Sequence, residues 1–332
     1  MVGSKKRYSC VVGADLAFFP AANALLNSLD YIGFDGTVNL IVFKDFPEDY
    51  LDQVKKKVGY GIMTYPFSEK KFEKIFEGKK ADYMKRYRYL IAAMISGSYD
   101  ACCFLDVDMF FVRPVDLFFE IASHGILLGA AKTGKVRYGG NPSYYVDGED
   151  VLDKPVWNEK DVCCCPIFFN QDFEPVFHDV YHAYTTDGGR MEASDLFAIN
   201  LMILKNKADR RMLTLPCHSW VGTNEVMLKP YTRVIEKEGQ LISENGDLVY
   251  SVHGKWFSPG WHAGQVLHME RLIEKHLGND KYWRAQYRRA MDDIMRWYLT
   301  MQHWILDINN WPQYVKQEHF DFMEGKRKEL KV

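Results

Sequence analysis

Apolar residues gather in short runs through the first half of the chain, and stretches with helical spacing separate them. YSCVV (8–12), TVNLIVF (37–43), GIMTYPF (61–67) and ACCFLDVD (101–108) are compact and rich in β-branched, aromatic or cysteine residues, so each predicts a strand. PAANALLNSLDYI (20–32), LDQVKKKV (51–58) and RYRYLIAAMI (86–95) repeat apolar positions every three to four residues, which predicts helices. This β-α-β-α rhythm implies an α/β fold with a mainly parallel sheet. In such sheets ligands bind beyond the carboxyl ends of the strands.

From about residue 114 the pattern loosens. Residues 132–160 are rich in Gly, Pro and Asp and read as a long binding loop. VCCCPIFFN (162–170) then predicts a strand and ASDLFAINLMILKN (193–206) a helix, and after residue 265 the chain reads as helical to its end. Trp297, Trp304 and Trp311 fall seven apart in that tail, along one helical stripe that Pro312 ends, with Arg284, Arg288 and Arg289 ahead of them. Three readings stay open for the stripe: a face packed on the preceding domain, a homodimer seam, or a peripheral membrane contact.

Composition narrows the class. The chain has 332 residues, 47% hydrophobic and 26% charged, enough for a large core. A formal net charge of −2 gives no electrostatic case for nucleic acid. The N-terminal apolar run is broken at Gly13, Ala14 and Asp15, too soon for a signal peptide or a spanning helix. Seven cysteines, an odd number clustered in apolar runs, point to reduced thiols and a cytoplasmic setting. Cys163–Cys165 lack the C-x-x-C spacing of a zinc site.

The stretch FLDVDMFFV (104–112) carries the sharpest chemical signal, because it puts Asp106 and Asp108 inside an apolar run. An unpaired interior carboxylate costs several kcal/mol or loses its charge. Residues two apart on a strand point the same way, so one divalent cation can meet both carboxylates. The bland alternative is a turn cap or a pairing with Arg113.

FLDVDMFFVRPVDLFF resembles the metal-binding strand of GT-A-fold glycosyltransferases, and most closely that of glycosyltransferase family 8, the glycogenin and bacterial galactosyltransferase group. The resemblance implies a mainly parallel central sheet flanked by helices, a nucleotide-binding half at 1–115, an acceptor half at 116–265, and a helical extension at 266–332. It also implies manganese, or magnesium, at Asp106 and Asp108, with Val107 between them at the donor.

Three further stretches are similar to family elements in the same order. VVGADLAFFPAANALLNSL resembles the opening strand and helix, so Val12, Gly13, Ala14 and Asp15 would line the base and ribose; Asp15 at a helix start is the plainer reading. KRYRYLIAAMISGSYD resembles the helix that sets a basic residue on the donor: Arg86 is the first choice and Arg88 the second, against a merely solvated basic face. EASDLFAIN keeps the Asp and Asn of a D-Q-x-x-x-N helix start at Asp195 and Asn200, with Leu196 in place of Gln; Asp195 would lie near the transferred sugar and Asn200 on the donor, against a simple N-cap role for Ser194 or Asp195.

VHGKWFSPGW partly matches H-x-x-G-x-x-K-P-W. His253 would be the third metal ligand (His262 the alternative) and Lys255 would contact the diphosphate; an ordinary loop histidine is the rival reading. The implied activity is metal-dependent transfer of a sugar from a nucleotide diphosphate sugar, by family habit a uridine diphosphate sugar, to a glycan, glycoprotein or glycolipid hydroxyl, with retention. The competing classes are a non-catalytic nucleotide-sugar-binding module and a D-x-D phosphohydrolase.

Overall fold

A computed structural model describes residues 6–14, 19–42, 48–67, 83–107, 109–111, 113–131, 145–146, 149–150, 162–186, 195–215, 220–222, 234–237, 240–243, 248 and 250–253. The expectations for Asp15, Asp108, Ser194, Lys255, His262 and the tail 266–332 lie outside the described residues.

The first half follows the expected alternation: β1 (Tyr8–Ala14), α1 (Phe19–Tyr31), β2 (Thr37–Val42), α2 (Glu48–Lys57), β3 (Gly61–Pro66), α3 (Tyr83–Ser96) and β4 (Ala101–Phe104). β5 (Met109–Phe111), α4 (Asp116–Ser123) and β6 (Leu127–Ala131) come next, then two two-residue strands, β7 (Tyr145–Val146) and β8 (Glu149–Asp150). β9 (Val162–Phe169), α5 (Glu174–Thr186), α6 (Asp195–Lys205) and β10 (Met212–Leu215) complete the main body. β11 (Trp220–Gly222), β12 (Val234–Lys237), β13 (Gln240–Ser243) and β14 (Ser251–His253) are short.

Seven strands form one sheet in the order β10-β6-β9-β4-β1-β2-β3. β1 is parallel to β2 and β4, β2 to β3, and β10 to β6, while β9 runs antiparallel to both β4 and β6. Six strands therefore point one way and only β9 opposes them. This is the mixed, mainly parallel α/β sheet that the alternation implied.

Neighbouring side chains on a strand face opposite sides, so consecutive aromatics reveal both layers. On β9, Phe169 stacks on Phe177 of α5 at 4.0 Å, while Phe168 meets Phe118 and Phe119 of α4. Helices thus cover both faces, which explains why β1 and β4 read as unbroken apolar runs. On the α5 side, Phe104 of β4 stacks with Tyr89 of α3 at 4.6 Å and meets Phe177. Each buried ring contributes roughly 1.5–3 kcal/mol by transfer alone, and together they fasten α3 and α5 to β4.

Some of the polar groups inside pair across strands. Asn39 on β2 donates to Ser9 on β1, and Tyr65 on β3 donates back to Asn39 at 3.0 Å, tying three strands together. Burial pushes the thiols of Cys10, Cys102 and Cys103 up, so they stay protonated and unreactive. Among the described residues, no helix is long and apolar enough to cross a membrane.

Candidate active site

The order β4-β1-β2 sets the position of the site. From β1 the chain builds outward through β2 to β3, then returns to lay β4 on the other side of β1. The reversal leaves a crevice beyond the carboxyl ends of β1 and β4, where open α/β sheets bind ligands. Leu105 holds the two ends together, its N–H donating to the Val11 carbonyl at 3.0 Å. Asp106 is the next residue.

β4 closes at Phe104, three to four residues earlier than the apolar pattern suggests. Val107 sits in a turn, closed by the Met109 N–H donating to the Asp106 carbonyl at 3.3 Å. Asp106 thus leaves the sheet on a turn rather than on the strand itself, beside a Val107 side chain that is buried.

Arg88 explains why the strand yields there. Its Nη1 donates to the Leu105 carbonyl at 3.2 Å and to Asp106 Oδ1 at 2.8 Å, and its Nη2 lies 3.9 Å from Asp195 Oδ2. The guanidinium carbon sits 4.8 Å from the centre of the Phe104 ring. Burial alone works against this cation, yet the Asp106 carboxylate, helped by Asp195, raises its pKa above the ordinary arginine value, so it stays charged. A planar fork presents its donors to a carbonyl and two carboxylates in a fixed geometry that a flexible ammonium lacks.

Arg86 is also buried but lies roughly 200° around α3 from Arg88 at 3.6 residues per turn. Arg88, the second choice from sequence, meets Asp106 and Asp195.

Asp195 opens α6, and its Oδ1 accepts from the Leu196 N–H at 3.1 Å. One carboxylate thus serves the helix start through one oxygen and faces Arg88 with the other. Asn200 uses its amide on the backbone. Its Oδ1 accepts from the Val162 N–H at 2.9 Å, and its Nδ2 donates to the carbonyls of Val162 at 2.9 Å and Leu196 at 2.8 Å. With 3% exposure it is a clasp between α6 and the start of β9, which holds Asp195 in place from behind. Asn200→Ala leaves both polar groups of Val162 buried without partners, so it is expected to lower stability by about 2–3 kcal/mol, read as the change in urea midpoint.

Val12 and Ala14 bury their side chains in the core, so at the end of β1 the backbone is what they and Gly13 offer a ligand. His253 enters from a second sheet of order β11-β14-β5. β14 runs antiparallel to β5 with His253 opposite Met109, which brings its backbone beside the turn that carries the acidic pair. Sequence reading missed the clasp at Asn200 and the bridge from Arg88 to Asp195; the Asp195–Asn200 spacing marked the right helix but not what its amide does.

No family model matches the chain, and no curated protein matches it. Among solved structures its fold is similar to the glycosyltransferase GlyE of Streptococcus pneumoniae TIGR4, at 14% identity over 64% of this chain and 45% of that one, with a TM-score of 0.41. It is also similar to the bifunctional glycosyltransferase WbbM, at 13% identity over 67% of this chain and 41% of the other, with a TM-score of 0.48. A third is the galactosyltransferase LgtC, solved with donor and acceptor sugar analogs, at 12% identity over 84% and 99% of the two chains and a TM-score of 0.48. The chain spans less than half the length of the first two. At these identities and scores no residue's role passes from those proteins to this one.

Proposed function

We propose that this protein is a glycosyltransferase of the GT-A type that moves a sugar from a nucleotide diphosphate sugar, by default a uridine diphosphate sugar, to an acceptor hydroxyl. The observation that carries the reading is the buried Arg88 holding Asp106 and Asp195 together at the crevice between β1 and β4. The order of the sequence resemblances supports it.

The residues suit a divalent metal. Carboxylates with an imidazole are a fitting donor set for manganese or magnesium. Asp106, Asp108 and His253 would hold the ion, which when bound supplies Lewis-acid neutralisation of the charge on the diphosphate leaving group. Arg88 fixes the angle of Asp106 and Asp195, so neither carboxylate must reorganise when charge develops. Lys255 adds positive charge at the diphosphate. The backbone of Val12, Gly13 and Ala14, with Asp15, lines the base and ribose. Asp195 stabilises positive charge on the sugar carbon as the leaving group departs, and attack on the same face gives retention.

A panel of nucleotide sugars, assayed for release of nucleoside diphosphate with manganese and with chelator, tests the proposal. Metal-dependent release from one donor supports it. Nucleotide binding without release for any donor would move the protein to the class of sugar-nucleotide-binding modules. Within the active protein, Asp195→Ala is expected to cut turnover about 100-fold or more while nucleotide affinity stays within about threefold. Equal losses in both would reduce Asp195 to a helix start.

A further inference from the structure

We propose that His178 and His182 form a second metal site, a two-imidazole chelate on α5 for a borderline cation such as Zn2+, Ni2+ or Cu2+. The two residues are four apart on the helix, which stacks them on one face. Their Nε2 atoms are 3.1 Å apart, and their ring centres 4.2 Å apart. Metal–imidazole bonds of about 2.0–2.1 Å at right to tetrahedral angles place the nitrogens about 2.8–3.4 Å apart. The rings therefore stand at the bite distance of a single ion before any ion arrives.

The backbone beneath them is firmly held. Val176, Phe177 and Val180 are fully buried, with Phe177 stacked on Phe169, so the opposite side of α5 is anchored in the core. Tyr181 packs on His182 at 5.2 Å and limits the freedom of that ring. His178 is exposed and His182 is half-buried, so an ion has a path to both. Little side-chain entropy remains to be lost on binding, which favours chelation over two independent imidazoles.

Binding needs the lone pair of each Nε2. In the structure these atoms lie within hydrogen-bonding distance of each other, which requires a proton on one of them. Chelation asks both rings to carry their proton on Nδ1, so that proton shifts within its own ring and none is lost. Among the described residues no cluster of three or more His, Cys, Asp or Glu side chains could hold a metal, so the two imidazoles alone define the proposed site. Imidazole nitrogen suits zinc, nickel and copper, whereas magnesium favours oxygen, so this chelate selects different ions from the acidic crevice.

Titration calorimetry of the full chain with Ni2+ and with Zn2+, without nucleotide, tests the site. The other eight of the ten histidines remain in every variant, so differences isolate the pair. His178→Ala and His182→Ala are each expected to weaken one binding event at least tenfold, and His178→Ala should leave the unfolding midpoint in chelator unchanged because alanine suits an exposed helix position. The double variant should lose that event altogether. A wild-type protein that binds neither ion, or single variants that bind within tenfold of it, would overturn the proposal. The glycosyltransferase reading is tested by donor hydrolysis and can fail or hold independently of this result.

Discussion

Replacing Arg88 by methionine is expected to lower stability by about 3 kcal/mol and to abolish sugar transfer together. The side chain is almost wholly buried, donates to the Leu105 carbonyl and Asp106, and faces Asp195. Methionine fills similar volume but leaves a carbonyl unsatisfied and two partly buried carboxylates facing each other, and breaking such a pair from one side costs about 3–5 kcal/mol. Asp106 and Asp195 keep 21% and 13% exposure, so the lower end applies. Urea unfolding reads the first loss and donor hydrolysis the second. Arg88→Lys separates charge from shape: lysine restores one positive charge but reaches one partner at a time, so it should recover stability in part and activity hardly at all. A methionine variant within about 0.5 kcal/mol of the parent would show that the two carboxylates do not need this cation.

Asp108→Ala is the second large effect. If the acidic pair holds the metal, removing this carboxylate should cut metal-dependent turnover about a thousandfold, about 4 kcal/mol of barrier, with the unfolding midpoint unchanged. The contrast with Arg88 is diagnostic. Arg88 couples fold and chemistry, whereas Asp108 should touch the chemistry alone. Full activity of the alanine variant, or activity that survives chelator, would remove the metal from the proposal.

Much of this was readable because local pattern and tertiary structure agree in the first half. β1, β2, β3 and the helices between them lie within a few residues of their expected places. What escaped was set by distant contacts. Strand direction has no signature in VCCCPIFF, which is apolar on both faces, so nothing local revealed that β9 runs against its neighbours. α5, with the sequence EPVFHDVYHAYTT, is rich in β-branched and aromatic residues of low helix propensity; it is helical because Phe177 and Val180 pack inside. α4 begins at DLFF, the end of a stretch whose resemblance concerned the strand before it, so no helix was expected there. β4 ended early because a helix residue far upstream bonds the carbonyl of Leu105. At the site, the acidic turn and the helix of Asp195 could be picked out from sequence, but Arg88 joining them could not, since neither arginine of RYRY is marked by the spacing.

The reversed course of β9 has a bearing on how such a protein changes. Because β9 opposes β6, the chain quits the sheet at Ala131 and rejoins it at Val162 on the same rim, and those two residues are register partners. Everything between hangs from two posts one strand spacing apart, about 5 Å. Since closing a longer loop costs only about 0.6 kcal/mol per doubling, that span can be trimmed, extended or exchanged with little disturbance to the strands below. The junction between β6 and β9 is thus a point where the chain is free to diversify, while the strands it joins stay constant.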